Sequence, residues 1–144
     1  MTYLLDVNVL IALVDPSHVQ HDIAHEWFAR DGKKAWATCP ITENGALRII
    51  GHASYPNSPG SPAAVAPLLR TMRLLNGHVF WSDDISLLDS GKIDTMRLLN
   101  AAQTTDSYLL ALAQTHGGQL ATLDRRLVVT AVHDGASSLC LIGD

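Results

Sequence analysis

Short apolar runs alternate with longer stretches of helical period along this chain, and that alternation limits its fold more than any other feature. The runs are "TYLLD", "AWATC", "HVFW", "QLATLD" and "SLCLI". Each reads as a short buried strand. Between the first two, "VNVLIALV" reads as a short helix stopped by "DPS". "HVQHDIAHEWFAR" then reads as a helix capped by Ser17, with Val19, Ile23, Ala24, Trp27 and Phe28 on one apolar face. "PITENGALRIIG" carries Pro40 at its start and Gly51 at its end, the usual asymmetry of a helix. "AAVAPLLRTMRLL" and "TTDSYLLALAQTHGG" are further helices, the second with a Thr cap and a Gly stop. "SDDISLLD" should cap and begin a short one. "HASYPNSPGSP" is rich in turn residues and reads as a mobile surface loop. Strands alternating with helices predict an α/β fold with a mostly parallel sheet of four or five strands, covered on both faces. No boundary interrupts residues 1–144, which read as one domain.

The sequence "TMRLLN" occurs twice, at 71–76 and 95–100. Two copies of six residues do not make a solenoid. Cys39 and Cys140 both stand in apolar surroundings and suit small core positions better than a disulfide or a thiolate metal site. No apolar run reaches the ~18 residues of a membrane span. With no basic leader, a cytoplasmic protein is expected. Net charge is −4, from 14 acids and 10 bases, which excludes nucleic-acid binding by a bulk positive field. It leaves room for an enzyme that handles nucleic acid through metal ions at a local acidic site.

The run "LLDVNVLIAL" interrupts itself with Asp6 and Asn8, and a buried carboxylate needs a partner. Three more acids occupy comparable places. Glu43 lies in the first turn of the helix after the second strand, Asp106 in the first turn of "TDSYLLALA", and Asp124 at the end of "ATLD". In open α/β sheets, ligand chemistry collects outside the carboxyl ends of the strands. Carboxylates gathered there repel one another and call for cations, and hard oxygen donors favour Mg²⁺ or Mn²⁺ over zinc. Asn8 could then orient a water or a carboxylate oxygen. The plainer alternative is that acids in first helical turns answer the helix dipole, worth about 0.3–1 kcal/mol each. Asp6 resists it, since it caps nothing polar and follows three apolar or aromatic residues.

Other groups have plain explanations as well. His18, His21 and His25 share one helical face, either a solvated face or zinc ligands, and the solvated face is the simpler reading. Asp83 and Asp84 suit a helix cap. Arg48 would hold a carboxylate or a phosphate, or form a surface pair. Lys33 and Lys34 suit a solvated turn, and Trp27, Trp36 and Phe28 suit the core.

Taken in order, "LLDVNVLIAL", "CPITENGALRII", "TTDSYLLALA" and "LATLDRRL" resemble the four motifs of PIN-domain ribonucleases. The chain is most similar to VapC toxins of bacterial toxin–antitoxin pairs, in particular a group abundant in actinobacteria. The resemblance implies a three-layer α/β/α domain and an endoribonuclease site dependent on Mg²⁺, with Mn²⁺ as the alternative. On the matching positions, Asp6, Glu43, Asp106 and Asp124 form the acidic quartet. Asp6 and Asp106 would hold the principal metal, with Glu43 and Asp124 completing the shell or bridging through water. Asn8 and Thr105 match the family's polar positions, and Arg125 would contact a phosphate. Ser107 departs mildly from the commoner "TDA". The resemblance further implies tRNA or rRNA as substrate, a VapB-like antitoxin whose arm covers the cleft, and homodimers. A DNA-directed metal nuclease, or a catalytically weak PIN-like domain acting by RNA or protein binding, are the rival readings.

Overall fold

The five apolar runs become five parallel strands: β1 (Tyr3–Leu5), β2 (Trp36–Thr38), β3 (His78–Phe80), β4 (Gln119–Thr122) and β5 (Leu139–Leu141). The computed structural model describes residues 1–89 and 91–143. The helices are α1 (Val7–Val14), α2 (His21–Arg30), α3 (Pro40–Ile50), α4 (Pro62–Arg73) and α5 (Ala102–Thr115).

Strand residues alternate between two cores, as the period of two requires. Leu5, Trp36 and Ala121 pack on one face with Val9, Leu10, Ala46 and Val65 from α1, α3 and α4. Leu4, Ala37 and Leu120 pack on the other with the apolar side of α5. Burying one such leucine side chain is worth about 1.5–3 kcal/mol, so both faces hold the helices tightly. The result is a three-layer α/β/α sandwich. Gly45 lets α3 approach α1, since a Cβ there would stand 2.8 Å from the Val7 side chain.

Strand order is β3-β2-β1-β4-β5. From β1 the chain moves outward to β2 and β3, then returns through α5 to place β4 on the other side of β1. The direction of winding therefore reverses between β1 and β4. At such a reversal the connections leave to opposite faces, and a crevice opens at the carboxyl ends of the two strands.

Several local expectations are corrected. α2 begins at His21 after Gln20, which supplies no side-chain cap, and Ser17 lies before it in a turn, its N–H on Asp15 Oδ1 at 2.9 Å. Val19 is 94% exposed and Ile23 is also exposed, so only Ala24, Trp27 and Phe28 of the expected face reach the core. His18 lies outside the helix, and His21 donates from Nδ1 to the Ala12 carbonyl at 2.7 Å. The three histidines thus share no helical face. Residues 82–89 form turns rather than a helix. The two copies of "TMRLLN" differ in structure. The first ends α4 with Met72 against the core, whereas the second starts as a 3₁₀ turn (Thr95–Arg97) with Met96 exposed. Packing partners, rather than local propensity, decide between them.

The loop after α3 is pinned rather than loose. The Tyr55 hydroxyl donates to Asp15 Oδ2, and Asn57 Nδ2 donates to Asp15 Oδ1 at 2.7 Å. Burial alone would raise the Asp15 pKa, but these bonds and the Ser17 N–H outweigh it and hold the carboxyl below its ordinary value. A depressed pKa gives stability that is present above the unfolded-state pKa near 3.9 and lost as pH falls through the folded-state value. Tyr55→Phe should therefore cost about 1–2 kcal/mol in urea unfolding at pH 7, and less below about pH 3. Equal stability at both pH values would show that the contact carries no weight.

Candidate active site

Asp6 is the first residue after β1 and sits in the reversal crevice, 6% exposed. One oxygen, Oδ1, accepts the Val7 N–H at 2.8 Å and caps α1. The sequence-based view that Asp6 caps nothing is thus wrong in part. The other oxygen, Oδ2, accepts the Thr122 hydroxyl at 2.8 Å and, at 3.5 Å, the Asn8 amide. A helix cap needs one oxygen, and the second is oriented by residues on a different strand.

Thr122 is the part that sequence reading missed. It ends β4, is fully buried, and receives the Asn8 amide at 3.1 Å and the Asp124 N–H at 3.1 Å while donating to Asp6. Parallel pairing of Leu5 with Ala121 sets Thr122 beside Asp6. Asn8 completes the link, its Oδ1 accepting the Leu123 N–H at 3.1 Å. The signal was present in "ATLD", a hydroxyl two residues before the acid, but its meaning depends on β4 lying next to β1. Asp124 follows β4 by two residues and accepts the Arg126 N–H at 2.9 Å. Arg125 donates to the Gly143 carbonyl at 2.8 Å.

Asp106 approaches from α5. That helix starts at Ala102, so Asp106 stands in its second turn, and neither Thr104 nor Thr105 is a cap. Thr105 is exposed, and Ser107 is fully buried. Burial raises the Asp106 pKa to about 6, helped by the charges of Asp6 and Asp124. Asp6 is raised as well, chiefly by burial and further by Asp124, against the lowering pull of its bonds from Thr122 and Val7. Three acids from three elements therefore stand in one electrostatic field.

Glu43 has local partners of its own. It lies in the first turn of α3 as expected. Its Oε2 accepts the Thr38 hydroxyl at 2.6 Å, and its Oε1 faces Arg73 at 3.4 Å. Arg73, rather than Arg48, is the cation that meets it. His78 Nε2 lies 2.8 Å from the same Thr38 hydroxyl oxygen.

The donors suit a hard divalent cation. Mg²⁺ keeps several waters and needs only one or two protein carboxylates, and mutually repelling oxygens gain from its charge. Among the described residues, no three His, Cys, Asp or Glu side chains are set to hold an ion unaided, so an ion bound here would need water in its remaining positions.

A carboxyl with a raised pKa costs the fold stability once pH rises through the folded-state value. Asp106→Asn should therefore stabilise the metal-free protein at pH 7.5, by about 1 kcal/mol after allowance for solvent screening, and leave stability unchanged near pH 3.5. Saturating Mg²⁺ should erase the gain. Thermal melts at the two pH values, with EDTA or Mg²⁺, check this; a loss of stability at pH 7.5 in EDTA contradicts it.

The PIN domain family model matches residues 3–132. Ribonuclease VapC44 of Mycobacterium tuberculosis (strain ATCC 25618 / H37Rv) is 46% identical over 132 residues, 92% of each chain. Ribonuclease VapC39 of the same strain is 44% identical over 131 residues, 91% of this chain and 94% of that one. Among solved structures, the Mycobacterium tuberculosis toxin VapC20, described as cleaving the sarcin-ricin loop, superposes with a TM-score of 0.61. It shares 16% identity, covers 86% of this chain and 91% of its own, and supports the fold alone. On the family model, the identities and the crevice geometry together, the chain belongs to the PIN-domain family, among the VapC ribonucleases.

Proposed function

We infer that the protein is a metal-dependent endoribonuclease, the toxin of a type II toxin–antitoxin pair, which hydrolyses phosphodiester bonds in structured RNA such as tRNA or rRNA. One observation carries the reading: Thr122 and Asn8 tie Asp6, at the end of β1, to the turn carrying Asp124 at the sheet's reversal crevice, and Asp106 on α5 feels the charges of both. The ribonuclease names of relatives that share over 40% of their residues support it.

Asp6 and Asp106 would hold a Mg²⁺ or Mn²⁺ ion, with Glu43 and Asp124 acting through water. Such an ion lowers the pKa of an attacking water and offsets charge building on the scissile phosphate. The chain's own contribution is placement. Thr122 and the Val7 N–H fix the two oxygens of Asp6, and Asn8 ties that pair to the turn carrying Asp124. Thr105, exposed beside Asp106, would meet substrate. Arg125 can meet a phosphate by trading its bond to the Gly143 carbonyl.

A VapB-like antitoxin covering the crevice, a homodimer, a cytoplasmic location and a single domain over 1–144 belong to the same reading. Among the described residues, no helix is long and apolar enough to cross a membrane. The placement of Glu43 against Arg73 favours one rival, a PIN-like domain that acts by binding alone. Calorimetric titration with Mg²⁺ separates the two, since that rival requires no binding heat.

With purified protein and labelled RNA or DNA, Mg²⁺ should support RNA cleavage and EDTA should stop it. Asp6→Asn should lower the rate at least about a hundredfold, the scale on which one lost electrostatic stabiliser is felt. Full activity in that variant, or cleavage of DNA alone, refutes the reading. Thr122→Val, which keeps the shape and removes the hydroxyl, should weaken Mg²⁺ binding roughly 10- to 100-fold in the same calorimetry. Unchanged affinity would mean that the Asp6 oxygen needs no orienting partner.

A further inference from the structure

The outer edge of the sheet, beside Glu43, carries side chains that the proposed chemistry leaves unused. β3 is the edge strand and pairs with β2 so that Trp36 faces His78 and Thr38 faces Phe80. Phe80 is 44% exposed, at the carboxyl end of its strand. Arg73, the last residue of α4, lies over that ring, with Cζ 5.3 Å from the centroid. The same guanidinium meets Glu43 at 3.4 Å, near the outer limit of a hydrogen bond, with its side chain 43% exposed. A long ion pair whose arginine is 43% exposed holds Glu43 only weakly, so the guanidinium is free to exchange partners.

Glu43 has a second and shorter hold. The Thr38 hydroxyl hydrogen goes to Glu43 at 2.6 Å, so the 2.8 Å contact with His78 has Nε2 donating to the Thr38 oxygen. Glu43 therefore keeps its place if Arg73 departs. A half-exposed aromatic ring beside a half-exposed guanidinium is what an unpaired nucleotide requires. The π-face stacks the base, and the cation takes the phosphate.

We propose that Arg73 and Phe80 form a nucleotide subsite next to Glu43, with Phe80 stacking an unpaired base and Arg73 leaving Glu43 for the adjoining phosphate. The subsite rests on the ribonuclease reading and adds that the bound RNA is single-stranded at this point, as in a loop. Arg73 and Phe80 are assigned to binding, while Thr38 and His78 position Glu43.

The test is fluorescence anisotropy of a labelled single-stranded oligoribonucleotide, in EDTA to prevent cleavage, over a salt series. Phe80→Ala should weaken binding roughly tenfold with an unchanged salt slope, and Phe80→Tyr should bind like the wild type. Arg73→Ala should weaken binding and lower the log–log salt slope by about 0.7, the value for one phosphate on a single strand, and Arg73→Lys should restore the slope. Melting temperatures check that each variant is folded. If the wild type binds RNA and neither alanine variant differs from it, the subsite is overturned while the ribonuclease reading stands. Weaker binding by Arg73→Ala at an unchanged slope overturns the phosphate contact. A wild type that neither binds nor cleaves RNA overturns both readings.

Discussion

A carboxylate removed from water must be met by donors or by a cation, and Asp6 meets that demand from two directions. Its Oδ1 belongs to α1, where it ends the strand and starts the helix, and its Oδ2 belongs to β4 through Thr122. One side chain thus joins the first strand, the first helix and the fourth strand at the point where the winding of the sheet reverses. Neutral donors hold the group in place without offsetting its burial, which, with the charge of Asp124, keeps the Asp6 pKa raised. The crevice is built to orient a negative charge rather than to hide it.

Asp106 and Asp124 add to that charge. Burial, helped by the charges of Asp6 and Asp124, pushes Asp106 to about 6, so close to neutral pH the site carries an electrostatic cost that a divalent ion would relieve. Glu43 lies in a different environment, with Thr38, His78 and Arg73 on the β2–β3 side. Of the four acids that the motifs suggest as a unit, Asp6, Asp106 and Asp124 feel one another's charge, and Glu43 is met by a cation, Arg73. The fourth carboxylate has its own local partners, and a substrate phosphate near Arg73 would alter them.

Much of the layout was legible because short apolar runs between amphipathic segments leave few folds to choose from. All five strands lie where those runs fall, and Leu4 and Leu5 divide between the two faces as alternation requires. The order of strands was not legible, since no local signal states that β4 returns to the far side of β1. Thr122 was missed for that reason, and Arg73 because α4 ends beside Glu43 only after the sheet has formed. Other errors came from weighing local capping signals too heavily. Ser17 proved to serve a turn on Asp15, the threonines before Asp106 lie inside α5, and "SDDISLLD" makes turns instead of a helix. Ser, Thr and Asp offer their oxygens to any nearby N–H, and tertiary contacts decide which one they take.

In the proposed site one ion would answer to carboxylates from three separate elements. Titrating the protein with substoichiometric Mn²⁺ while following the side-chain carboxyl carbons by NMR reads this directly, because a paramagnetic ion broadens the groups nearest to it. The account predicts that Asp6, Asp106 and Asp124 broaden together at a single stoichiometry, and that Asp15 and Asp94 stay sharp. Broadening of those three acids at different ratios, or of surface acids before them, would contradict it.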